Sequence, residues 1–196
     1  MCEKSFGKIS NDDIRKTFLN LHNKYRSKVA QGKAKMGNGN MARQAVMMRR
    51  LTYECSLELS AYRSAKRCED AVGNTTIAEN RIMLPNTNVD FSFAAEQATS
   101  EWYSEIRNGQ MWQATGSQNL FLPELKIPNF AKIIWDTHEK IGCVVHKCLK
   151  NKFTNVVCHY SPKGGTYGST IYTMGPNCNR CKHISATCQK GLCVVP

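Results

Sequence analysis

The sequence predicts an α+β protein, and three observations favour this class. Apolar residues recur at the spacing of one helical face early in the chain, two β-rich runs follow later, and ten cysteines are spread over the 196 residues. Helices that come first, followed by strands mixed with helices, are typical of a layered α+β domain rather than a parallel βαβ fold. A chain of this length buries a core without cross-links, so the cysteines add to a core instead of replacing one.

The first element is an amphipathic helix over Asn11–Ala30. Its apolar residues are spaced by three or four positions, the period of one helical face. They are Ile14, Phe18, Leu21, Tyr25 and Val29. Asn11 supplies a cap, and Asp12 and Asp13 place negative charge in the first turn. The three glycines of Gln31–Asn40 then predict a loop.

The middle of the chain is predicted to alternate between helices and strands. We expect helices over Ser56–Cys68 and Phe93–Arg107, because their apolar residues follow the helical period, and a strand over Ile77–Leu84. A long polar loop, Asn108–Pro128, contains two glycines. A fourth helix is expected over Asn129–Glu139, directly after a proline.

The last third is predicted to be mostly β structure. Gly142–Cys148 and Asn155–Tyr160 are β-rich runs joined by a short polar segment, which predicts an antiparallel hairpin. Ile171–Met174 offers one more short strand. Apolar periodicity then stops, so we expect a domain over residues 1–174 and a cysteine-rich tail over residues 175–196.

The cysteines indicate disulfide bonds and an oxidising compartment. A zinc ribbon is the alternative, but it needs two CxxC pairs separated by roughly fifteen to twenty residues. Here Cys181 and Cys188 are much closer in sequence, and the second pair has a different spacing. We therefore expect a secreted, extracellular protein. No apolar run is long enough for a transmembrane segment, and no apolar signal region follows Met1, so we expect the sequence to begin after a signal peptide.

The formal charge of +12 is unevenly distributed. Residues 1–67 hold 15 Lys and Arg against 5 Asp and Glu, so +10 of the +12 lies in the first third. Such a face is able to attract sulfated glycans, anionic lipid or nucleic acid. No run of five consecutive Lys or Arg occurs, which favours an ordinary solvated surface. No nucleic-acid-binding module is present, so nucleic acid is not an expected partner.

Four segments carry a resemblance to a known family. They are HNKYR at His22–Arg26, AEN at Ala78–Asn80, NFAKIIW at Asn129–Trp135 and VVCHYSPKG at Val156–Gly164. In this order they resemble the HNxxR helix, the GEN strand, the GHYTQxVW motif and the VVCxYxPxGN motif of the CAP superfamily. That group contains antigen 5, the cysteine-rich secretory proteins and the plant pathogenesis-related proteins. The cysteine spacing looks most like the activation-associated, or venom allergen-like, secreted proteins of parasitic nematodes such as hookworms.

The resemblance implies a three-layer α-β-α sandwich followed by a hinge-like cysteine-rich tail. It also implies a set of disulfide bonds. The expected pairs are Cys178 with Cys188, Cys181 with Cys193, Cys148 with Cys158, Cys68 with Cys143, and Cys2 with Cys55.

Many members of this family carry two histidines and two glutamates in a cleft that holds a divalent metal. Glu79 and Glu105 match the glutamates, but Asn129 stands where one histidine belongs, and no histidine occurs between Cys68 and Glu79. Zinc prefers imidazole or thiolate donors, and an asparagine does not titrate near neutral pH. We therefore expect no catalytic residue, no bound metal and no cofactor. Glu79 and Glu105 are expected to hydrogen-bond neighbouring groups instead.

A few further residues carry expectations. The triplet that begins at Asn74 is an acceptor for N-glycosylation. His22 is expected to lie in the core, and His146 and His159 are expected to be neighbours across the hairpin. Trp112 is expected to be exposed in its loop.

The favoured function is a noncatalytic secreted effector that binds a host protein or cell-surface receptor, with immune or haemostatic modulation as the outcome. The loops Gln31–Asn40 and Asn108–Pro128 would carry the binding. The first alternative is a carrier of sterol or fatty acid, since Leu120–Pro123 offers apolar material. The second is a metal-dependent hydrolase, which the missing histidines disfavour. The expected assembly is a monomer or weak dimer.

Overall fold

The computed structural model describes residues 1–3, 9–69 and 77–196. The chain divides into two units whose segments alternate along the sequence. The first unit consists of Met1–Leu21, Leu51–Glu101 and Glu139–Lys163, and the second of His22–Arg50, Trp102–His138 and Gly164–Pro196. Helices and strands are mixed along the chain, as expected for the α+β class.

The described residues contain four α-helices, at the places that the sequence pattern predicts. They are α1 (Asp12–Ala30), α2 (Cys55–Ala65), α3 (Phe91–Ser104) and α4 (Pro128–Ile133). Asn11 caps α1, because its side-chain oxygen accepts hydrogen bonds from the backbone N–H groups of Asp13 and Ile14 at 3.0 Å. In the described part of the chain, no helix combines the length and the apolar character needed to cross a bilayer.

Helix α4 is shorter than predicted, since it ends at Ile133 instead of Glu139. Ile134 already departs from helical geometry, with φ −100° and ψ 12°. The buried guanidinium of Arg26 donates hydrogen bonds to the carbonyl oxygens of Ile133 and Trp135, each at 2.8 Å. A continued helix would need these carbonyls for its next turn, so a contact made far away in sequence ends the helix.

A four-stranded sheet forms the centre of the first unit. Its strands are β1 (Thr52–Tyr53), β2 (Ala78–Leu84), β3 (Lys140–Cys148) and β4 (Phe153–Ser161). The order is β1-β3-β4-β2, with β1 parallel to β3 and the other neighbours antiparallel. The predicted hairpin and the predicted strand before it are confirmed, and both hairpin strands are longer than the sequence pattern suggests.

Helix α2 packs closely on this sheet at Gly142. A Cβ atom at Gly142 would lie 2.2 Å from the backbone nitrogen of Glu58, so only glycine permits the approach. The contact continues through a cluster of small and β-branched residues: Ala61, Ala65, Val144 and Val157. The tight contact brings the polar side chains of α2 over β2 and β4.

The second unit contains a short antiparallel pair, β5 (Thr187–Gln189) and β6 (Leu192–Val194). The strand expected at Ile171–Met174 is wrong, because the described residues there form only isolated bridges. Its backbone makes separate hydrogen bonds to several segments, for example from Ile171 N–H to the Asn119 carbonyl at 3.0 Å and from Asn119 Nδ2 to the Tyr172 carbonyl at 3.0 Å.

The tail is attached to the rest of the second unit by backbone hydrogen bonds. Cys193 N–H donates to the Met48 carbonyl at 2.8 Å, and Arg50 N–H donates to the Cys193 carbonyl at 2.9 Å. A small cluster of Cys181, Ala186 and Cys193 is buried within the tail. The boundary between residues 174 and 175 stays a prediction.

Five disulfide bonds join the ten cysteines. Three pairs agree with the expectation: Cys2–Cys55, Cys178–Cys188 and Cys181–Cys193. The two expected pairs Cys148–Cys158 and Cys68–Cys143 are wrong. The structure has Cys143–Cys158 and Cys68–Cys148 instead.

The register of the hairpin explains this correction. Cys143 lies directly opposite Cys158, with a Cα–Cα distance of 4.1 Å, whereas Cys148 lies opposite Phe153. A disulfide requires close Cα atoms. Cys148 is therefore left to bond Cys68, which follows the end of α2.

Candidate functional site

Glu79 lies on β2, and three side chains bond its carboxylate. Oε2 accepts a hydrogen bond from Ser64 Oγ at 2.6 Å and lies 2.8 Å from His159 Nε2, while Oε1 accepts from Arg81 Nε at 3.1 Å. Ser64 is supplied by α2, and His159 lies directly opposite Glu79 on β4. His159 Nδ1 in turn lies 3.0 Å from Ser60 Oγ. Both carboxylate oxygens are thus engaged by this chain.

These surroundings keep Glu79 ionised. Burial alone would raise its pKa, but the hydrogen bonds from His159 and Ser64 and the charge of Arg81 outweigh burial and lower the pKa from 4.5 to about 2. A carboxylate with so low a pKa is a weak proton acceptor near neutral pH. The environment of Glu79 therefore suits a structural anion better than a general acid or base.

Glu105 and Asn129, both in the second unit, are brought together at the start of α4. Glu105 Oε2 accepts from the backbone N–H groups of Asn129 and Phe130, each at 2.8 Å, and Oε1 accepts from Asn129 Nδ2 at 2.7 Å. Burial raises the pKa of Glu105, and the hydrogen bonds from Phe130 and Asn129 oppose that rise. Glu105 thus satisfies N–H groups that the first turn of a helix leaves without intrahelical partners.

The residues present do not fit the divalent metal that the family resemblance implies. Glu79 is paired with a guanidinium, Glu105 is bonded to backbone N–H groups, and Asn129 offers an amide in place of an imidazole. A tetrahedral zinc site needs donors of another kind. Glu79, Glu105 and Asn129 are better described as hydrogen-bonded structural groups.

A second group of potential metal ligands lies near the end of α2. One ligand atom from each of Cys68, His146 and Cys148 lies within 4.8 Å of the others. The two sulfurs are bonded to each other, so neither is a thiolate. A single imidazole remains, which is too little for a metal site.

The predicted closeness of His146 and His159 is wrong. In the register of β3 and β4, His146 lies opposite Asn155 and His159 lies opposite Gly142. His159 meets Glu79 across the β2–β4 pair instead. Sequence reasoning missed this partner, because no local signal in the sequence indicates that β2 pairs with β4.

Two other histidines belong to the core. His22 is fully buried with its ring edge-on to Trp102, at a centroid distance of 6.5 Å, which confirms the expectation for His22. His138 Nδ1 lies 2.9 Å from the Lys132 carbonyl oxygen. Burial, together with the charge of Arg26, lowers the pKa of His138 to about 3. His138 is therefore neutral at physiological pH.

The two loops named above as binding candidates contact each other in the second unit. Gly37 N–H lies within hydrogen-bond distance of the Ile106 and Gly109 carbonyls, at 2.8 and 2.9 Å, and Asn38 Nδ2 donates to Gln110 Oε1 at 3.1 Å. A Cβ atom at Gly37 would lie 2.8 Å from a carbonyl oxygen, so glycine is required for this approach. The loops are therefore held together by backbone and side-chain hydrogen bonds.

A groove of about 520 Å³ opens between these loops. Its lining includes Met36, Met41, Arg43, Met111 and Trp112, and we call these five residues the loop surface. Met36 and Met111 are buried in its floor, whereas Met41 is 51% and Trp112 47% exposed. The expected exposure of Trp112 is confirmed.

The apolar segment Leu120–Pro123 is less available than its sequence suggests. Phe121 is buried, stacked on Tyr167 at a centroid distance of 4.6 Å and edge-on to Trp135 at 6.0 Å. This aromatic residue is used for packing within the second unit. Asn74, the expected glycosylation site, lies outside the described residues.

Comparison with known proteins identifies the family. The sequence model of CAP, the cysteine-rich secretory protein family, matches residues 19–160. The Ancylostoma secreted protein of Ancylostoma caninum is 35% identical over 200 residues, which cover 94% of this chain and 45% of that protein. Hookworm platelet inhibitor 1 of the same species is 33% identical, with 93% and 83% covered. The chain thus spans about half of the first relative and most of the second.

Solved structures agree with this assignment. The crystal structure of NaASP2 with Zn²⁺ has a TM-score of 0.86 at 31% identity, covering 98% of this chain and all of that one. The crystal structure of hookworm platelet inhibitor has a TM-score of 0.75 at 30% identity, covering 100% of this chain and 94% of that one. The predicted α+β CAP fold is therefore confirmed, and the chain belongs to the CAP family of cysteine-rich secretory proteins, with hookworm secreted and venom allergen-like proteins among its relatives.

Proposed function

We propose that this chain is a secreted, noncatalytic CAP effector that binds a host protein through the loop surface. The relative named hookworm platelet inhibitor, similar over 93% of this chain, supports a role in modulating host haemostasis or immunity. Five disulfide bonds and the family membership support secretion. The observation that carries the binding role is the groove with two exposed apolar side chains at Met41 and Trp112.

The state of the acidic residues supports the noncatalytic part of the proposal. General-base chemistry needs a group that is free to take a proton near neutral pH. Glu79 is strongly ionised and held by three side chains, and Glu105 is bonded to the start of α4. The metal that would supply an activated water does not suit these donors.

The construction of the loop surface supports the binding part. Aromatic and methionine side chains are enriched in protein interfaces, and a tryptophan in a partly polar setting is a frequent anchor. The backbone bonds of Gly37 and the Asn38–Gln110 bond hold the loops in place before any partner arrives. A preformed surface loses less conformational entropy on binding.

The positive charges around this groove favour a partner whose binding surface is acidic. Among the five residues of the loop surface, Arg43 is the charged one. The residue is exposed, and its guanidinium donates a hydrogen bond to the Gln113 carbonyl at 3.4 Å. The nearby segment 31–40 adds Lys33 and Lys35, both exposed, and no acidic residue. Complementary charge increases the association rate and selects the partner.

The alternatives have less support. A carrier of sterol or fatty acid would need apolar side chains that are free to contact the ligand, and Phe121 is already packed in the second unit. A metal-dependent hydrolase would need a different donor set. Sulfated glycans as partners, and a monomer or weak dimer as the assembly, stay predictions.

Capture of a binding partner from host plasma tests the proposal. The immobilised protein is exposed to host plasma, bound proteins are cross-linked and identified, and the affinity for the retained protein is then measured. We expect Trp112→Ala and Arg43→Glu each to weaken binding about tenfold or more, because they remove an anchor and a complementary charge.

The matched control is Phe93→Ala, which removes a similarly exposed aromatic side chain, 58% against 47% for Trp112, from the first unit. This variant should retain full affinity in plasma. If Trp112→Ala and Arg43→Glu bind the captured protein as well as the unchanged chain does, the loop surface is not the binding site.

A further inference from the structure

The groove of the loop surface is lined by side-chain amides as well as by apolar groups. Its lining also includes Asn38, Asn40, Gln110 and Gln113, and within this described lining Arg43 is the one charged residue. The cavity of about 520 Å³ falls within the range of sites for small ligands, which measure roughly 300–1,000 Å³. A concave site with this mixture of groups suits a compact polar ligand that also has an apolar face.

Two of the amides build the groove itself. Gln113 is buried, and its Oε1 accepts a hydrogen bond from the backbone N–H of Arg43 at 2.8 Å. Asn38 Oδ1 accepts from the Asn40 N–H at 3.0 Å, while Asn38 Nδ2 donates to Gln110 Oε1 at 3.1 Å. These bonds connect the two segments that form the walls, so the groove exists before a ligand binds.

The other amide groups have hydrogen-bonding capacity left for a ligand. Within the described residues, the side chain of Asn40 and the Nε2 group of Gln110 make no hydrogen bond, and both residues line the cavity. Asn40 is exposed and Gln110 is half-buried. A side-chain amide both donates and accepts hydrogen bonds, as a sugar hydroxyl does. The groups therefore match a ligand that carries several hydroxyls.

Trp112 supplies an apolar platform in the same cavity. Its side chain is 47% exposed, and its carbonyl accepts a hydrogen bond from Ser117 Oγ. The turn that follows is closed by Ser117 N–H, which donates to the Ala114 carbonyl at 3.0 Å. An indole held in this way covers the apolar C–H face of a pyranose ring at little cost in side-chain entropy.

Arg43 indicates that the ligand carries one anionic group. Its Nη1 donates to the Gln113 carbonyl at 3.4 Å, which occupies one corner of the planar guanidinium. The remaining N–H groups match the two oxygens of a carboxylate. Lys33 and Lys35 are exposed but do not belong to the lining, so the groove lacks the row of cations that a polysulfated chain would meet.

A second cavity, of about 340 Å³, adjoins the groove. The two cavities share Asn38 and Gln110, and the second also contains Glu124 and Lys126, one acidic and one basic residue. Its charges are therefore balanced, unlike those of the groove. A ligand longer than one sugar can extend from Arg43 towards this cavity with uncharged units.

We propose that the groove binds a short oligosaccharide that ends in a carboxylated sugar of the sialic acid class. Trp112 packs against the sugar, Asn40 and Gln110 bond its hydroxyls, and Arg43 pairs with its carboxylate. This inference rests on the proposed function, because it names a glycan on the host protein as the group that the loop surface recognises. An acidic peptide segment would also pair with Arg43, but the exposed indole beside amide groups favours a sugar.

Calorimetric titration with sialyllactose tests the site directly. The native protein should bind sialyllactose at least about tenfold more tightly than lactose, which lacks the carboxylate. Trp112→Ala and Arg43→Gln should each weaken the binding of sialyllactose about tenfold or more. Asn40→Asp should have a similar effect, since it places a negative charge beside the carboxylate, and should affect lactose less.

The matched control is Asn151→Asp, which makes the same change of charge at an exposed asparagine of the β3–β4 turn, in the first unit. This variant should bind sialyllactose as the native protein does. No binding of sialyllactose, equal affinity for lactose, or an equal loss in Asn151→Asp and Asn40→Asp would each overturn the glycan site.

Sialidase treatment of the captured plasma protein separates this inference from the proposed function. The treated protein should bind about tenfold more weakly and should no longer distinguish Arg43→Gln from the native chain. Undiminished binding that still depends on Trp112 and Arg43 would overturn the glycan site in favour of an acidic peptide, and the proposed function would stand. Binding of sialyllactose without capture of any plasma protein would support the glycan site and contradict the proposed function.

Discussion

At the scale of single residues, the surroundings of a side chain decide its role more than its type does. Glu79 and Glu105 are both largely buried glutamates that match the family's acidic positions. Arg81 and His159 lower the pKa of Glu79 far below its usual value, whereas burial raises the pKa of Glu105. The sequence gives no sign of this difference, because His159 and the N–H groups at the start of α4 come from other elements.

Glu79 should make the free energy of unfolding depend on pH in the acidic range. Its folded pKa of about 2 lies below the ordinary 4.5, so the stabilisation is complete above pH 4.5 and is lost as the pH falls towards 2. Because the side chain is only 9% exposed, Glu79→Gln should lower the free energy of unfolding by about 3 kcal/mol at pH 7. This difference should shrink towards pH 2.

Urea unfolding of both proteins at several pH values measures the effect. Glu96→Gln, an exposed glutamate of α3, is the control and should differ little from the native protein at any pH. A gap between Glu79→Gln and the native chain that stays constant from pH 7 to acid would contradict the ion-pair account of Glu79.

At the scale of elements, local sequence patterns predict which helices and strands form, and long-range contacts determine where they end. The periodicity of Asn11–Ala30 and the β-rich hairpin both survive in the structure with small changes at their ends. Helix α4 ends early because Arg26 takes its carbonyls, and that contact spans more than a hundred residues. The register of β3 against β4 is fixed only when the strands pair, and it explains why two of the expected disulfide pairs are wrong.

The disulfide pairing can be read directly. Mass spectrometry of peptides from the unreduced protein should find Cys143 linked to Cys158 and Cys68 linked to Cys148. The directly opposed positions of Cys143 and Cys158 on β3 and β4 are the physical reason. A peptide that links Cys148 with Cys158 would show that the hairpin register described here is incorrect.

Gly142 should be the least replaceable position in the contact between α2 and the sheet. A methyl group there would meet the backbone of Glu58 at 2.2 Å and that of Leu57 at 2.5 Å, and backbone atoms do not move aside cheaply. Gly142→Ala should therefore lower the free energy of unfolding by about 3 kcal/mol.

Gly116 offers the comparison. A Cβ atom there meets nothing within 4 Å, and only its positive φ of 81° opposes a side chain. Gly116→Ala should cost about 1 kcal/mol. Calorimetric unfolding of both variants measures these two losses of stability. A similar loss for Gly142→Ala and Gly116→Ala would mean that α2 approaches the sheet less closely.

At the scale of the whole molecule, membership of the CAP family explains the fold. The proposed function depends on residues at the surface. The loop surface belongs to the second unit. The sequence indicates the two loops that form it, since glycines and polar residues mark them.

Hydrogen exchange of the protein, with and without its captured host partner, tests the central claim most directly. Backbone amides in residues 36–43 and 110–114, the two segments that line the groove, should exchange more slowly in the complex. Amides around Glu79 and Glu105 should be unchanged. Slower exchange confined to the segments that hold those two glutamates, with no change in the groove, would contradict it.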